Sequence, residues 1–506
     1  MKILNARQVK KLDEYTIRND SIASIDLMEA AAEAFVDEFK QLIPENQIVK
    51  IFCGTGNNGG DGMAIARLLH EAGYDLKVYI IRRSSNPTSD FKTNEDRLRK
   101  LQTVPIYDIK EGSKLAELES SEIVIDAIIG IGLSRPVNAA SLTGEVIKHI
   151  NSAKCTTIAV DIPSGVFADK LTTSTSIEAD LTISLELPKL AFMLEDSYRY
   201  IGDWVVLPIG LNTQFIEDEE TDFELTDDAF ANLLLLSRPR TKFDSKSDHG
   251  HALIAAGSKG KLGAAVFAVR GAVAAGAGLV TAHVPGVGYQ LIQISEPSAM
   301  VQIDENESSI SEIVNFDSYD VVGIGPGIGT GTDAKEAIEK VLESSELDTK
   351  LVLDADALNI IARNDDFLEM LPPYAVLTPH QNEFERLAGR SDDGFSRLNL
   401  LKKFSKTHNV IVVLKGAHTA IATPEGKVYF NSSGTPGLAT GGTGDVLTGV
   451  ITSLIAQGYS NLEACLLGVY VHGLAGELAA DLKGVRAMNA GDVIDHIGEA
   501  FAMLES

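Results

Sequence analysis

Two glycine-rich stretches hold side chains able to do chemistry. The first, GTGNNGGDG from Gly54 to Gly62, has five glycines in nine residues, with Asn57, Asn58 and Asp61 among them. A strand, a glycine run and a helix form the geometry of an anion cradle. Glycines let the backbone approach a ligand, and a helix start points free N–H groups at it. The spacing matches neither GxGxxG in the dinucleotide-fold manner nor GxxxxGK followed by Ser or Thr. The two amides and the carboxylate add oxygens of the kind that hard cations take. Asp126 closes EIVID and Asp161 closes TTIAVD, at strand ends where open α/β sheets put their sites. Asp61, Asp126 and Asp161 are therefore expected to converge on one crevice, with the flexible GIGLSRP, Gly130 to Pro136, at the same edge. For each aspartate alone, a helix cap or turn is the competing role.

The second stretch, GLATGGTGDVLTG from Gly437 to Gly449, has another logic. Gly441, Gly442 and Gly444 precede Asp445, and DVLTGVITSLIA reads as a helix starting there. Successive N–H groups at that start form an anion hole. A carboxylate beside an anion hole is what phosphoryl transfer to an alcohol needs: the carboxylate takes the hydroxyl proton while N–H groups steady the phosphoryl oxygens. Lys415 and Thr419 of VLKGAHTAI flank a strand-end loop that can touch nucleotide phosphates. GIGPGIG, Gly323 to Gly329, follows a strand and can approach a ligand closely. His380 of LTPHQNEFERL stands at a strand end, a position open to ligand contact.

The elements that must position these groups follow from periodicity. IVKIF, LKVYII, EIVIDAIIG, TTIAVDIPSG and ADLTISLE read as strands, and GMAIARLLHEAGY as a helix. Short apolar runs alternating with helices imply α/β architecture with a parallel sheet covered on both faces. The pattern breaks at Glu217 to Asp228, where eight of twelve residues are carboxylates. Such a run is solvated and poorly packed, and it is expected to be an acidic linker over 217–228, between a domain of 1–216 and one of 229–506. The second half restarts with GHALIAAGS and continues through GLVTAHV, DVVGIG, KLVLDADA, AVLTP, VIVVLKG and HTAIATP, a second α/β domain.

Composition narrows the function. At 506 residues the chain exceeds one ordinary core. Its net charge of -27 repels phosphate backbones and anionic lipid, so neither nucleic acid nor a membrane is an expected partner. Cys53, Cys155 and Cys465 are far apart and form neither a zinc pattern nor a disulfide framework. The N-terminus has no apolar signal region, and the apolar GAAVFAVRGAVAAGAGLV is broken by Arg270 and glycines, so it reads as a buried helix and strand. A cytoplasmic protein is expected.

GTGNNGGDGMAIARLL, LMEAAA, DAIIGIGLSRPV and VDIPSGV resemble the NAD(P)H-hydrate epimerases over roughly residues 1–215. The resemblance implies an N-terminal Rossmann-like doubly wound sheet. It implies that Asn57, Asn58, Gly59, Gly60, Asp61, Gly130, Ile131, Gly132, Leu133, Ser134, Arg135 and Pro136, with Asp161, hold the damaged dinucleotide. It further implies a potassium ion on Asn58, Asp126 and Ser164, Asp161 as acid/base, and Lys189 of ELPK as its helper.

The second half is similar to the ribokinase-like superfamily, and within it to the ADP/ATP-dependent NAD(P)H-hydrate dehydratases. GSKGKLGAA, GAGLVT, GPGIG, LDADAL, LTPHQNEFERL, KGAHT and GGTGD carry that likeness over about 226–506. It implies contacts to the hydrated nicotinamide nucleotide from Ala264, Gly327, His380 and Asp445, the last catalytic. AMP-moiety contacts are implied for Lys415, Gly416, Ala417, His418 and Thr419, and for Gly444. The implied activity is epimerisation of R- and S-NAD(P)HX followed by dehydration of the S form to NAD(P)H, driven by ADP or ATP with a magnesium ion. The likeness suggests a homo-oligomer. The competing reading is a small-molecule kinase of the same fold with an N-terminal binding or scaffold domain. A dehydrogenase is disfavoured, since no GxGxxG with a downstream acid stands in the right place.

Overall fold

In the computed structural model, which describes residues 1–82 and 86–505, the short apolar runs become strands. The first seven are β1 (Ile48–Cys53), β2 (Asp75–Ile81), β3 (Ile106–Ile109), β4 (Ile123–Ala127), β5 (Thr156–Val160), β6 (Leu181–Leu185) and β7 (Asp203–Leu207). They form one sheet in the order β3-β2-β1-β4-β5-β6-β7, all neighbours parallel. Along β1, Val49, Ile51 and Cys53 pack on one face with Phe35, Phe39 and Met63. Phe52 packs on the other with Val124 and Ile147. Burial of both faces explains why these strands read as unbroken apolar runs. The order reverses between β1 and β4, which opens a crevice at their carboxyl ends.

The glycine run after β1 is not a loop. Gly56 caps a helix, Asn57–Glu71, whose first turns contain Asn57, Asn58, Gly59, Gly60 and Asp61. None of its glycines has positive φ. They are there for closeness: a Cβ on Gly59 meets the Gly54 carbonyl oxygen at 2.0 Å, and one on Gly62 meets Ala127 Cβ at 2.6 Å and Cys53 Sγ at 2.7 Å. The run thus seats the helix hard against β1 and β4, and this fixes where Asn58 and Asp61 emerge.

The remaining strands are β8 (Phe223–Thr226), β9 (His251–Ala255), β10 (Leu279–Val284), β11 (Met300–Ile303), β12 (Val321–Ile324), β13 (Leu351–Leu353), β14 (Val376–Leu377), β15 (Ile411–Leu414), β16 (Ala420–Ala422) and β17 (Val428–Asn431). Their sheet runs β11-β10-β9-β12-β13-β14-β15-β16-β17-β8. Only β16 is antiparallel to its neighbours. The order reverses between β9 and β12, so a second crevice is expected there.

Compact units divide between Thr221 and Asp222: one spans Lys2–Thr221 with Asp393–Phe395, the other Asp222–Asp392 and Ser396–Ser506 with Met1. The acidic 217–228 segment does not form the expected loose linker. Its start belongs to helix Thr213–Asp218, Phe223–Thr226 is β8 in parallel register with β17, and Asp227 caps helix Asp228–Leu236 by accepting from the Phe230 N–H at 2.9 Å. The physical reason is the alternation Phe-Glu-Leu-Thr, a half-buried strand pattern hidden under the charge, with Leu225 buried.

Helices Leu262–Ala274 and Thr443–Ala456 pack at backbone distance. A Cβ on Gly271 meets the Val446 carbonyl oxygen at 2.6 Å, and one on Gly449 meets that of Ala268 at 2.0 Å. This contact ties the start of the helix carrying Asp445 to the one carrying Ala264. The apolar stretch read from Gly263 on is buried helix and strand. Helix Asn461–Lys483 is long and apolar enough to cross a membrane, yet 72% of its most apolar window is buried within the protein.

Candidate active sites

A cavity of about 620 Å³ opens in the amino-terminal unit where β1, β4, β5 and β6 end. Asn57, Asn58, Asp61, Gly130, Ile131, Gly132 and Asp161 all line it. Gly59 and Gly60 are buried behind the wall as packing residues. Leu133 packs toward the core around Phe52, and Ser134, Arg135 and Pro136 are solvent-exposed, outside the cavity wall.

Asp161 follows β5 with φ of +68°, a strained backbone for a non-glycine residue and one that functional positions retain. Its Oδ1 accepts from the Leu185 N–H at 3.2 Å and from the Lys189 ammonium. Lys189 is 1% exposed, and its Nζ also donates to Ser184 Oγ at 2.7 Å and the Leu187 carbonyl at 2.9 Å. Every proton on that ammonium is spoken for, so Lys189 holds the Asp161 carboxylate in place from behind.

Asp126 does not reach the cavity. It is fully buried under it, its Oδ1 accepting from Ser164 Oγ at 2.6 Å and its Oδ2 from the Ser164 N–H at 2.7 Å. Burial pushes its pKa up to about 6 against the pull of those hydrogen bonds. Ser164 Oγ in turn accepts from the Ile129 N–H at 2.8 Å. Next to Ile129, a Cβ on Gly130 would stand 3.1 Å from Asn58 Cγ, and among the described residues Asn58 Nδ2 is buried without a hydrogen-bond partner. Amide orientation is an assignment; turning the group places an oxygen in that buried position. A buried orphan oxygen, a buried carboxylate and a hydroxyl suit a weakly charged cation.

Two further carboxyls line the cavity. Asp61, at the helix start, is pushed well above the usual carboxylate range by burial first, then by Asp161, Asp13 and Asp90. Asp13, from helix Ala6–Asn19, is raised to about 7 by burial first, then by the Asp161 charge, with Lys189 opposing. The sequence reading passed over Asp13. The available signal was one helical face: Ala6, Val9, Lys10, Asp13 and Ile17 recur at helical spacing, and all line the cavity.

In the second unit the helix carrying Asp445 begins at Thr443, two residues earlier than read, with Gly442 as its cap at φ +97°. Asp445 therefore sits in the first turn. His472 Nε2 lies 2.9 Å from the Thr443 carbonyl and fixes the loop before it. Lys415 Nζ approaches this helix start, 3.4 Å from where a Cβ on Gly444 would be. The same Nζ donates at 2.8 Å to Asp354 Oδ1, whose other oxygen accepts from Thr448 Oγ at 2.7 Å. Burial first, then the Asp354 charge, raises the Asp445 pKa to about 7, with Lys415 pulling it down. A carboxyl poised near neutrality next to an ammonium and a helix N-terminus can accept a proton while an anion is held.

Around it, Gly327 has φ +66°, and its Cβ would lie 3.0 Å from Ala264 Cβ, so the loop after β12 touches the helix after β9. This is the second crevice. His380 follows β14 and forms a β-bridge with Lys415. Its Nδ1 accepts from the Asn382 and Glu383 N–H groups, so it caps its own helix with its ring half exposed. Gly416 to Thr419 form the turn between β15 and β16, and Thr419 Oγ donates to the Gly416 carbonyl at 3.2 Å. His418 Nδ1 turns to the Asn431 carbonyl at 3.3 Å.

Asp354 emerges as a positioning residue that sequence reading left unassigned within LDADAL. Asp354→Asn removes the charge that anchors Lys415 and lifts Asp445. With the Lys415 ammonium less fixed, the hold of this crevice on a phosphate-bearing ligand is expected to weaken roughly tenfold, the scale of one charged hydrogen bond. The acid limb of the kcat–pH profile should also move below 7, because Asp445 loses its like-charged neighbour.

Family comparisons agree with this division. Residues 252–499 match the profile described as NAD(P)H-hydrate dehydratase, and residues 24–191 match that of the YjeF-related protein N-terminus. A bifunctional NAD(P)H-hydrate repair enzyme from Moorella thermoacetica is 34% identical over 523 aligned positions, covering all of this chain and 97% of the relative. The chain belongs to the bifunctional NAD(P)H-hydrate repair enzymes. A repair enzyme of the same name from Thermofilum pendens is 32% identical, again over the whole chain and 97% of the relative. Among solved structures, a ribokinase-like superfamily protein from Enterococcus faecalis superposes with a TM-score of 0.51 at 24% identity, covering 57% of this chain and 99% of that one. That likeness shows the fold of the second unit. Both catalytic units of the repair family are therefore present, and the reading as a plain kinase with a scaffold domain is not favoured.

Proposed function

We propose that the amino-terminal cavity interconverts the R and S epimers of NAD(P)HX, and that the crevice at Asp445 dehydrates the S epimer at the expense of ADP or ATP. The observation that carries the second assignment is Asp445 in the first turn of a helix, beside the Lys415 ammonium. Hydration leaves a hydroxyl on C6 of the nicotinamide ring, next to N1. Asp445 takes the proton of that hydroxyl as its oxygen bonds to the terminal phosphorus, and the bond from phosphorus to the bridging oxygen breaks to release AMP or ADP. Lys415 and the N–H groups of the helix start steady the phosphoryl oxygens. The C6–O bond then breaks with phosphate as leaving group, the N1 lone pair forms the C6–N1 double bond, and loss of a C5 proton restores NAD(P)H. A fold that phosphorylates alcohols thus performs a net dehydration.

Among the described residues no group of three or more His, Cys, Asp or Glu side chains gathers as a metal site. A magnesium ion would enter on the nucleotide phosphates, where it would neutralise charge. In the epimerase unit Asn58, Asp126 and Ser164 would hold potassium, whose charge would offset the buried Asp126 carboxylate. In the cavity, Asp161 accepts and returns the proton at the C6 oxygen, and Lys189 keeps its carboxylate aimed.

Inorganic phosphate should appear one-for-one with NAD(P)H when ADP and S-NADHX are supplied. Accumulation of a stable phosphorylated product without reduced cofactor contradicts the dehydratase assignment.

A further inference from the structure

Inverting C6 asks for two proton-handling groups, because one C–O bond breaks as another forms. Asp161 supplies one, and Lys189 pins it. Three carboxyls line the cavity: Asp61 and Asp161 stand at the carboxyl edge of the sheet, whereas Asp13 reaches in from helix Ala6–Asn19, a different wall. Its neighbours on that helix face, Val9 and Ile17, are apolar, so the carboxyl is the group this wall presents to a ligand, with Lys10 one turn away. Among the described residues no hydrogen bond or ion pair holds the Asp13 side chain. It is free to serve a ligand, whereas Asp161 is fixed by two donors.

We propose that Asp13 is the second catalytic carboxyl of the epimerase cavity, donating a proton on one face of the nicotinamide ring while Asp161 accepts one on the other. The inference rests on the epimerase reading of this cavity. The Asp13 carboxylic acid protonates the C6 hydroxyl, the C6–O bond breaks, water departs, and the N1 lone pair forms a C6–N1 iminium. A solvent water adds to C6 from the opposite face, and its proton passes to the Asp161 carboxylate. One water leaves, one enters, and one proton moves from Asp13 to Asp161. Asp161 then releases its proton to solvent and Asp13 takes one up, which restores both carboxyls before the next turnover; the reverse epimerisation runs the same steps backwards. The surroundings of Asp13 favour this division of labour: burial first, then the charges of Asp161 and Glu14, hold its proton on, Lys189 opposes them, and the resulting pKa of about 7 suits an acid that must cycle. Asp61, pushed above the usual carboxylate range by burial first and then by Asp161 and Asp13, completes the carboxyl lining of the cavity.

The test uses the full-length protein with separated R- and S-NADHX, no nucleotide, and chromatographic detection of the other epimer. Asp13→Asn should lower kcat roughly 100-fold or more, with KM little changed and the limb near pH 7 lost. Asp13→Glu, which restores an acid, should recover part of the rate. In ¹⁸O-labelled water each interconversion by the wild type should bring in one solvent oxygen. Wild-type turnover with an unchanged pH limb in Asp13→Asn overturns the proposal, and so does product that keeps its original oxygen. An Asp161→Asn protein that epimerises normally is a separate failure, of the cavity as the epimerase site.

Discussion

Asp445→Asn lowers nucleotide-dependent recovery of NAD(P)H by roughly 10²–10⁴-fold, the range that a positioned general base contributes, and leaves epimerisation at its wild-type rate. The amide keeps the shape and the helix start, so the KM for ADP should change little while kcat collapses. Asp445 stands in the first turn beside Lys415, and burial with Asp354 nearby holds its pKa at about 7. The reaction needs the ionised carboxylate, so kcat falls as pH drops below 7 and levels off above it. A steady-state pH profile with saturating ADP and S-NADHX checks both points. Wild-type kcat in the asparagine variant, or a flat profile through pH 7, contradicts the base assignment.

Asp161→Asn has the complementary effect. It should slow epimerisation by roughly 10²–10⁴-fold and spare dehydration of the S epimer. The substitution removes the acceptor of the Lys189 ammonium and leaves a 1%-exposed charge facing an amide. Some loss of stability should accompany it, since breaking a buried pair leaves an uncompensated charge. Lys189→Met, which leaves no such charge, separates the two effects: a poorly aimed but intact Asp161 should retain measurable activity. Interconversion assayed without nucleotide reads the first site, and dehydration of pure S-NADHX reads the second in the same preparation.

Much of the fold was legible because parallel strands buried on both faces are unbroken apolar runs. Strands open to solvent were missed: Ile106–Ile109 and Met300–Ile303 are edge strands that keep exposed residues. Phe223–Thr226 was concealed by surrounding carboxylates, although Leu225 is buried. The glycine run was misread for a physical reason. Glycine signals either unusual φ or close approach, and one sequence does not say which. Here Gly59 and Gly62 serve close approach inside a helix, whereas Gly327 and Gly442 have positive φ at the second site. Asp61, Asp161 and Asp445 were readable from their stations at strand ends and a helix start. Asp13 and Asp354 were not, because their significance lies in partners far along the chain: Asp161 for one, Lys415 and Thr448 for the other.

The most direct test of the two-site account is the absorbance of the dihydronicotinamide band. Racemic NADHX is mixed with the protein, magnesium and potassium, with and without ADP or ATP. Complete, nucleotide-dependent recovery of NADH from both epimers is expected, faster than spontaneous epimerisation permits. Recovery that stops near half and creeps onward contradicts a working epimerase cavity, and no recovery with either nucleotide contradicts the repair function altogether.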